Sequence, residues 1–109
     1  MKVLLLCSSD PMFVKSIYGA LRSEGFELEV VERTAMAVQY SLRKSYGAVV
    51  IDPNAIGLSA VDAAEIIRRG GTMVLIAGQE GAGRGGASPF DVMEIISTIR
   101  DMCKPAATR

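Results

Sequence analysis

The stretch that decides the fold is Val3-Leu4-Leu5-Leu6-Cys7, together with Ser8-Ser9-Asp10-Pro11 directly after it. Five consecutive apolar residues predict a strand that is buried on both faces, as in the centre of a parallel sheet. Asp10 is a typical helix N-cap and Pro11 suits the first helical position, so a helix is expected at once. A buried strand followed by a helix is the first half of a βαβ unit and indicates an α/β protein.

Three further segments have the composition of strands. They are Phe26 to Val31, Ala48 to Ile51 and Thr72 to Ala77. Because strands that alternate with helices are joined by right-handed crossovers, we predict a doubly wound parallel sheet of four strands in three layers, α/β/α. Asp52-Pro53-Asn54 ends the third strand with turn chemistry and places a carboxylate at its carboxyl end.

Four helices are predicted from apolar periodicity and capping residues. Thr34 is a typical cap for the second helix, which should close at Gly47. Ser59 and Asp62 form a capping box for the third. The residues expected to face the sheet are Val14, Ile17 and Leu21 in the first helix, Ala35, Val38 and Leu42 in the second, and Val92, Ile95, Ile96, Ile99 and Met102 in the last.

Composition restricts the function. The 109 residues suit one domain over 1–104, with a fraying tail at 105–109. Twelve basic and twelve acidic residues cancel, which argues against nucleic-acid and membrane partners. The absence of His excludes Ser-His and Cys-His pairs within the chain. We expect a cytoplasmic protein with reduced thiols at Cys7 and Cys103, because no secretory pattern opens the sequence.

Four segments, in order, carry a likeness to a known family. They are Leu4 to Pro11, Leu21 to Leu28, Ala48 to Asp52, and Ser88-Pro89-Phe90-Asp91. With these segments the chain resembles a response-regulator receiver domain from Lys2 to about Met102. The resemblance implies a flavodoxin-like fold with strand order 2-1-3-4 and a role in bacterial two-component signalling. It also implies that Asp52 matches the family's phosphoacceptor.

The other functional positions of the family are changed here. Ser8 and Ser9 match the acidic pair that holds Mg²⁺, and only the neighbouring Asp10 is acidic. Ala77 matches the hydroxyl residue that senses the phosphate, and Ser88 matches the lysine. Two hydroxyls do not replace two carboxylates for a hard dication. We therefore expect no metal, no cofactor and no enzymatic activity, and interpret the chain as a phosphorylation-independent pseudo-receiver that binds a protein partner.

The segment from Gly78 to Ser88 is too short for the helix and fifth strand that the family places there. Its glycines predict a loop, although Gly81 to Gly86 formally fits the G-x-G-x-x-G pattern of dinucleotide sites. Loss of a fifth strand leaves one edge of strand four open. Because Met73, Val74, Leu75 and Ile76 carry no charge, we expect a homodimer or a partner strand on that edge.

A phosphoryl carrier is the alternative function. Asp52 of a degenerate receiver would be one acceptor. Cys7 would be the other, because Leu5-Leu6-Cys7-Ser8 followed by Asp52-Pro53-Asn54 resembles a phosphotransferase-system IIB domain of the cellobiose type. Against that role, Asp10 and Pro11 follow Cys7, where a phosphate-binding loop needs small residues and backbone N–H groups.

Overall fold

The computed structural model describes residues 3–77 and 92–103, and in these residues four strands alternate with four helices. Their bounds are β1 Val3–Cys7, α1 Pro11–Ser23, β2 Glu27–Val31, α2 Thr34–Arg43, β3 Ala48–Ile51, α3 Ala60–Arg69, β4 Val74–Ile76 and α4 Val92–Met102. The strands form one parallel sheet in the order β2-β1-β3-β4. The predicted flavodoxin-like, doubly wound architecture is confirmed.

The sheet separates two apolar layers. Alternate side chains of β1 and β3 point to opposite faces, so Leu4 and Leu6 pack on one side and Leu5 and Cys7 on the other. The first layer is completed by α1 and α4 through Phe13, Ile17, Leu21, Ile95, Ile96 and Ile99. The second is completed by α2 and α3 through Ala37, Ala60, Ala63, Ala64 and Ile67. Both central strands are therefore buried on both faces, as their continuous apolar runs predict.

The caps predicted for α1 and α3 are confirmed. The Asp10 carboxylate accepts a hydrogen bond from the Met12 amide at 3.0 Å, and Pro11 takes the first helical position. The Ser59 hydroxyl oxygen accepts from the Asp62 amide at 3.1 Å. Each cap satisfies a backbone donor that has no partner within its helix and so sets the residue at which the helix begins.

The prediction for α2 is wrong in its cap, in two of its three inward residues and in its end, whereas the third inward residue, Val38, is partly buried against the core. Arg33 is the N-cap and Thr34 is the first helical residue. Ala35 is exposed and Leu42 is 67% exposed, whereas Thr34 and Ala37 are buried. The reason is that the Thr34 hydroxyl bonds to the loop after β3, which turns that side of the helix inward. The helix ends at Arg43 rather than at Gly47.

Several predictions lie outside the described residues. They concern the loop at 78–88 with its glycine pattern, the missing helix and fifth strand, the role of Ser88, the start of the last helix and the tail. Of the predicted stripe in α4, Ile95, Ile96 and Ile99 are buried and Met102 is partly buried. Within the described ranges, no helix combines the length and apolar character needed to cross a bilayer.

Candidate functional site

The carboxyl ends of β1 and β3 lie side by side, and this contact brings Cys7, Ser8 and Asp52 together. The Asp52 amide donates to the Cys7 carbonyl at 2.9 Å, which continues the β1–β3 ladder by one residue. The Ser8 amide donates to the Val31 carbonyl at 2.9 Å and anchors the start of the β1–α1 loop on β2. This edge is where ligands bind in open parallel sheets, so it is the candidate site.

Asp52 is the buried carboxylate of this site, with 5% of its surface exposed. Its Oδ2 accepts a hydrogen bond from the Ser8 hydroxyl at 2.7 Å. Its Oδ1 accepts from the Asn54 amide at 2.9 Å, which is the geometry of an Asx turn. Both carboxylate oxygens are therefore hydrogen-bonded to neighbouring residues of the chain. The turn residues Pro53 and Asn54 hold the acid in place from one side and Ser8 holds it from the other.

The three residues predicted to form a degenerate acidic pocket separate in the structure. Ser8 is buried, and its hydroxyl oxygen also accepts from the Asp10 amide at 3.0 Å. Ser9 is exposed. Asp10 is exposed as well, and its carboxylate caps α1 instead of pointing at Asp52. Ser8 is thus the residue of the three that reaches the candidate site with its side chain.

The donors of this site do not fit the Mg²⁺ ion that the receiver fold implies. A hard dication takes several oxygen ligands, with carboxylates among them. Asp52 is the buried carboxylate here, and Ser8 offers one neutral oxygen whose proton is directed at Asp52. In the described part of the chain, no cluster of three or more His, Cys, Asp or Glu residues could hold a metal ion.

The Cys7 thiol lies next to the same carboxylate and is fully buried. Burial, followed by the negative charge of Asp52, raises the pKa of Cys7 to about 12. The thiolate is the nucleophilic form of cysteine, and this environment suppresses it at neutral pH. Cys103 is only partly buried. Cys7 therefore serves as a small apolar core residue in the α2–α3 layer.

Ala77 follows β4 on the other side of β3. Its amide donates to the Ile51 carbonyl at 2.9 Å, and the residue is fully buried. Its methyl group packs in the layer of α1 and α4. A side chain without a hydroxyl stands at the position that the resemblance assigns to phosphate sensing.

A second polar contact near the site was not predicted. Thr34, fully buried at the start of α2, donates its hydroxyl to the Leu58 carbonyl at 2.9 Å, and its amide donates to the Ile56 carbonyl at 3.0 Å. Gly57 has φ +111°, and a Cβ there would lie 2.8 Å from the Thr34 hydroxyl. The loop between β3 and α3 is thus tied to α2. A glycine between Ile56 and Leu58 was the available signal for an unusual φ, but no local pattern indicated Thr34 as the partner.

The edge predicted for partner binding belongs to β4, the outermost of the described strands on that side. The Met73 carbonyl accepts a hydrogen bond from the Val49 amide, and the Ala77 amide donates to the Ile51 carbonyl. Met73 and Ala77 therefore direct their backbone groups toward β3. Alternation along a parallel strand then directs the backbone groups of Val74 and Ile76 away from β3. The side chains of Val74, Leu75 and Ile76 are buried, and Met73 is 49% exposed. This edge therefore presents mainly backbone N–H and C=O groups, rather than side chains, to a partner.

Comparison with known proteins identifies the fold. No family model matches the chain, and no curated protein sequence matches it. The structure is similar to the Mg²⁺-bound receiver domain of a sensor histidine kinase from Pseudomonas aeruginosa, with a TM-score of 0.78, 20% identity and coverage of 95% of this chain and 98% of that one. The receiver domain of Francisella response regulator 1452 gives the same four values.

A third similar structure is the complex of histidine kinase ThkA with response regulator TrrA. It aligns with a TM-score of 0.64 and 23% identity, over 71% of this chain and 68% of that one. The chain thus has the flavodoxin-like receiver fold found in two-component signalling proteins.

Proposed function

We propose that this chain is a phosphorylation-independent pseudo-receiver that acts as a protein-protein interaction module in bacterial two-component-type signalling. The observation that carries the proposal is the Ser8–Asp52 hydrogen bond of 2.7 Å at a buried carboxylate. Together with the bond from the Asn54 amide, it gives each carboxylate oxygen of Asp52 a hydrogen-bond donor from the chain itself. Ser8 also stands where the receiver resemblance requires an acidic metal ligand. The same residue therefore hydrogen-bonds to Asp52 and replaces a ligand of the metal.

Electrostatics supports the same conclusion. Phosphoryl transfer depends on positive charge that neutralises the oxygens of the transferred group. Asp52 has hydrogen-bond donors, Ser8 and the Asn54 amide, but no ion pair with another described residue. A phosphoryl group on Asp52 would add negative charge to a buried position that no cation among the described residues pairs with. Phosphorylation is therefore unfavourable, and Asp52 acts as a structural anchor between β1 and the loop after β3.

The alternative carrier through Cys7 is opposed by the state of its thiol. A phosphocysteine forms by attack of the thiolate, and the raised pKa of Cys7 keeps the group protonated. Full burial also separates the sulfur from a donor protein. We accordingly propose a non-enzymatic role without a cofactor, in the cytoplasm.

A protein partner fits this role, since the similar ThkA–TrrA structure is itself a complex of two signalling proteins. We place the partner on the outer edge of β4, where Val74 and Ile76 direct backbone groups away from β3. The opposite edge is less suited to strand addition, because β2 carries Glu27 and Glu29. An extended partner segment or a second copy of the chain can extend the sheet at β4.

A Mg²⁺ titration by calorimetry tests the loss of the receiver chemistry. The wild-type chain should give no binding heat up to millimolar Mg²⁺. The double variant Ser8→Asp with Ser9→Asp restores the acidic pair that the receiver resemblance requires and should gain measurable binding. An exposed control, Ser97→Asp on α4, adds charge outside the β1–β3 site and should behave as the wild type. Binding of Mg²⁺ by the wild-type chain would overturn the proposal.

A further inference from the structure

Arg68 reaches from α3 to the edge of the sheet. Its Nη2 donates to the Val74 carbonyl at 3.0 Å. Arg68 lies in the last turn of α3, two residues before the C-cap Gly70, and the residue is largely exposed. The bond joins a charged group of a helix to a backbone acceptor of the outermost described strand.

The carbonyl that Arg68 binds is one of those on the outer side of β4. The groups of Met73 and Ala77 point toward β3, and those of Val74 and Ile76 point the opposite way. Arg68 thus covers the first acceptor that an added strand would use. The strand itself contains neither charge nor proline, and among the described contacts Arg68 of α3 supplies the charged group that protects this edge against uncontrolled pairing.

The surroundings of Arg68 favour a negatively charged group. A surface cavity of about 340 Å³ is lined by Arg68, Gly71, Thr72, Met73, Val74 and Met102. Among its described lining residues there is one cation, Arg68, and no carboxylate. Among the described residues, no acidic side chain forms an ion pair with Arg68. Met73 and the partly buried Met102 supply apolar surface beside the cation.

We propose that Arg68 is a displaceable cover on the β4 edge, and that the segment bound there is extended and carries an acidic side chain. An incoming strand that takes the Val74 carbonyl releases the guanidinium, which then needs a new acceptor. A carboxylate offers a charge-assisted, bidentate partner for it. The exchange selects acidic segments over neutral or basic ones. This inference rests on the proposed binding of a partner at the β4 edge and adds the chemistry of that partner.

Two short fluorescent peptides provide the probe. Both alternate valine and threonine, and they differ only in a central glutamate or lysine. Anisotropy titrations at one fixed ionic strength compare the wild type with Arg68→Met, which keeps an apolar stem without the donors. Arg69→Met is the matched control, because Arg69 is the adjacent exposed arginine and the change in net charge is identical.

The wild type and Arg69→Met should bind the glutamate peptide about three- to fivefold more tightly than the lysine peptide. Arg68→Met should bind both equally. Slower amide hydrogen exchange at Ile76 in the bound state should locate the peptide on the β4 edge. Equal binding of the two peptides by the wild type, an unchanged preference in Arg68→Met, or no binding of either peptide would overturn the inference. None of these results alters the Mg²⁺ titration, so failure of this inference is distinguishable from failure of the pseudo-receiver proposal.

Discussion

Replacement of Gly57 by alanine tests whether the loop beside Asp52 is held by Thr34. Gly57 has φ +111°, where an L side chain is strained by about 1–3 kcal/mol. Its new Cβ would also lie 2.8 Å from the Thr34 hydroxyl, so that hydroxyl must move away from the Leu58 carbonyl. Loss of this hydrogen bond costs about 1 kcal/mol more. We expect Gly57→Ala to lower the free energy of unfolding by about 2–4 kcal/mol.

Gly25 provides the control for backbone strain. Its φ is +97°, and a Cβ there meets no atom within 4 Å. Gly25→Ala should therefore show the strain alone, and urea unfolding of the two variants should differ by about 1 kcal/mol. In a Thr34→Ala background the hydroxyl is absent, and the effect of Gly57→Ala should fall to that of Gly25→Ala. Equal destabilisation by Gly57→Ala and Gly25→Ala in the wild-type background would refute the proposed tie between the loop and α2.

Two further predictions concern Cys7 and Glu29. Cys7 should react with a bulky maleimide far more slowly than the partly buried Cys103 of the same molecule, because burial and Asp52 keep the Cys7 thiol protonated. Labelling followed by peptide mass spectrometry measures both rates. Comparable rates would contradict the description of Cys7 as a buried thiol. Hydrogen bonds from Lys44 and Tyr46 hold the pKa of Glu29 below its ordinary value of 4.5, so its contribution to stability is present above pH 4.5 and is lost as pH falls through the lowered pKa. Unfolding curves from neutral to acid pH should accordingly lose less stability in Glu29→Gln than in the wild type, and identical pH profiles would argue against this assignment.

The sequence was sufficient for the architecture because the decisive signals are local. The unbroken apolar runs of β1 and β3, the capping residues Asp10 and Ser59, and the glycine after α1 each act within a few residues of the element they define. Right-handed crossovers then leave few arrangements of four strands. The observed order β2-β1-β3-β4 is the predicted one.

The buried face of α2 could not be predicted in the same way. Small residues occur on two sides of this helix, so apolar periodicity alone does not distinguish a face with Ala35 from one with Ala37. The Thr34–Leu58 bond, which spans 24 residues, decides between them. Thr34, predicted as a helix cap, is thus a buried residue whose hydroxyl bonds α2 to the loop after β3.

The predicted strand order, which the structure confirms, places the ends of β1 and β3 side by side, but the bonding between Ser8 and Asp52 was not predicted. The receiver resemblance implied only the loss of a metal ligand at Ser8. The structure adds that Ser8 is a donor to Asp52. Likewise, β4 contains no charge of its own, and the covering of its edge by Arg68 required the placement of α3 above the strand. Both contacts join segments that are brought together only by the folded sheet.

The measurement that tests the central claim most directly is the intact mass of the chain after incubation with acetyl phosphate and Mg²⁺. Asp52 is buried and hydrogen-bonded by Ser8, and the described residues around it form no fitting metal site, so the mass should remain that of the unmodified protein. Asp52→Asn, treated in parallel, should give the same result. A stoichiometric gain of one phosphoryl group by the wild type that is absent from Asp52→Asn would contradict the account.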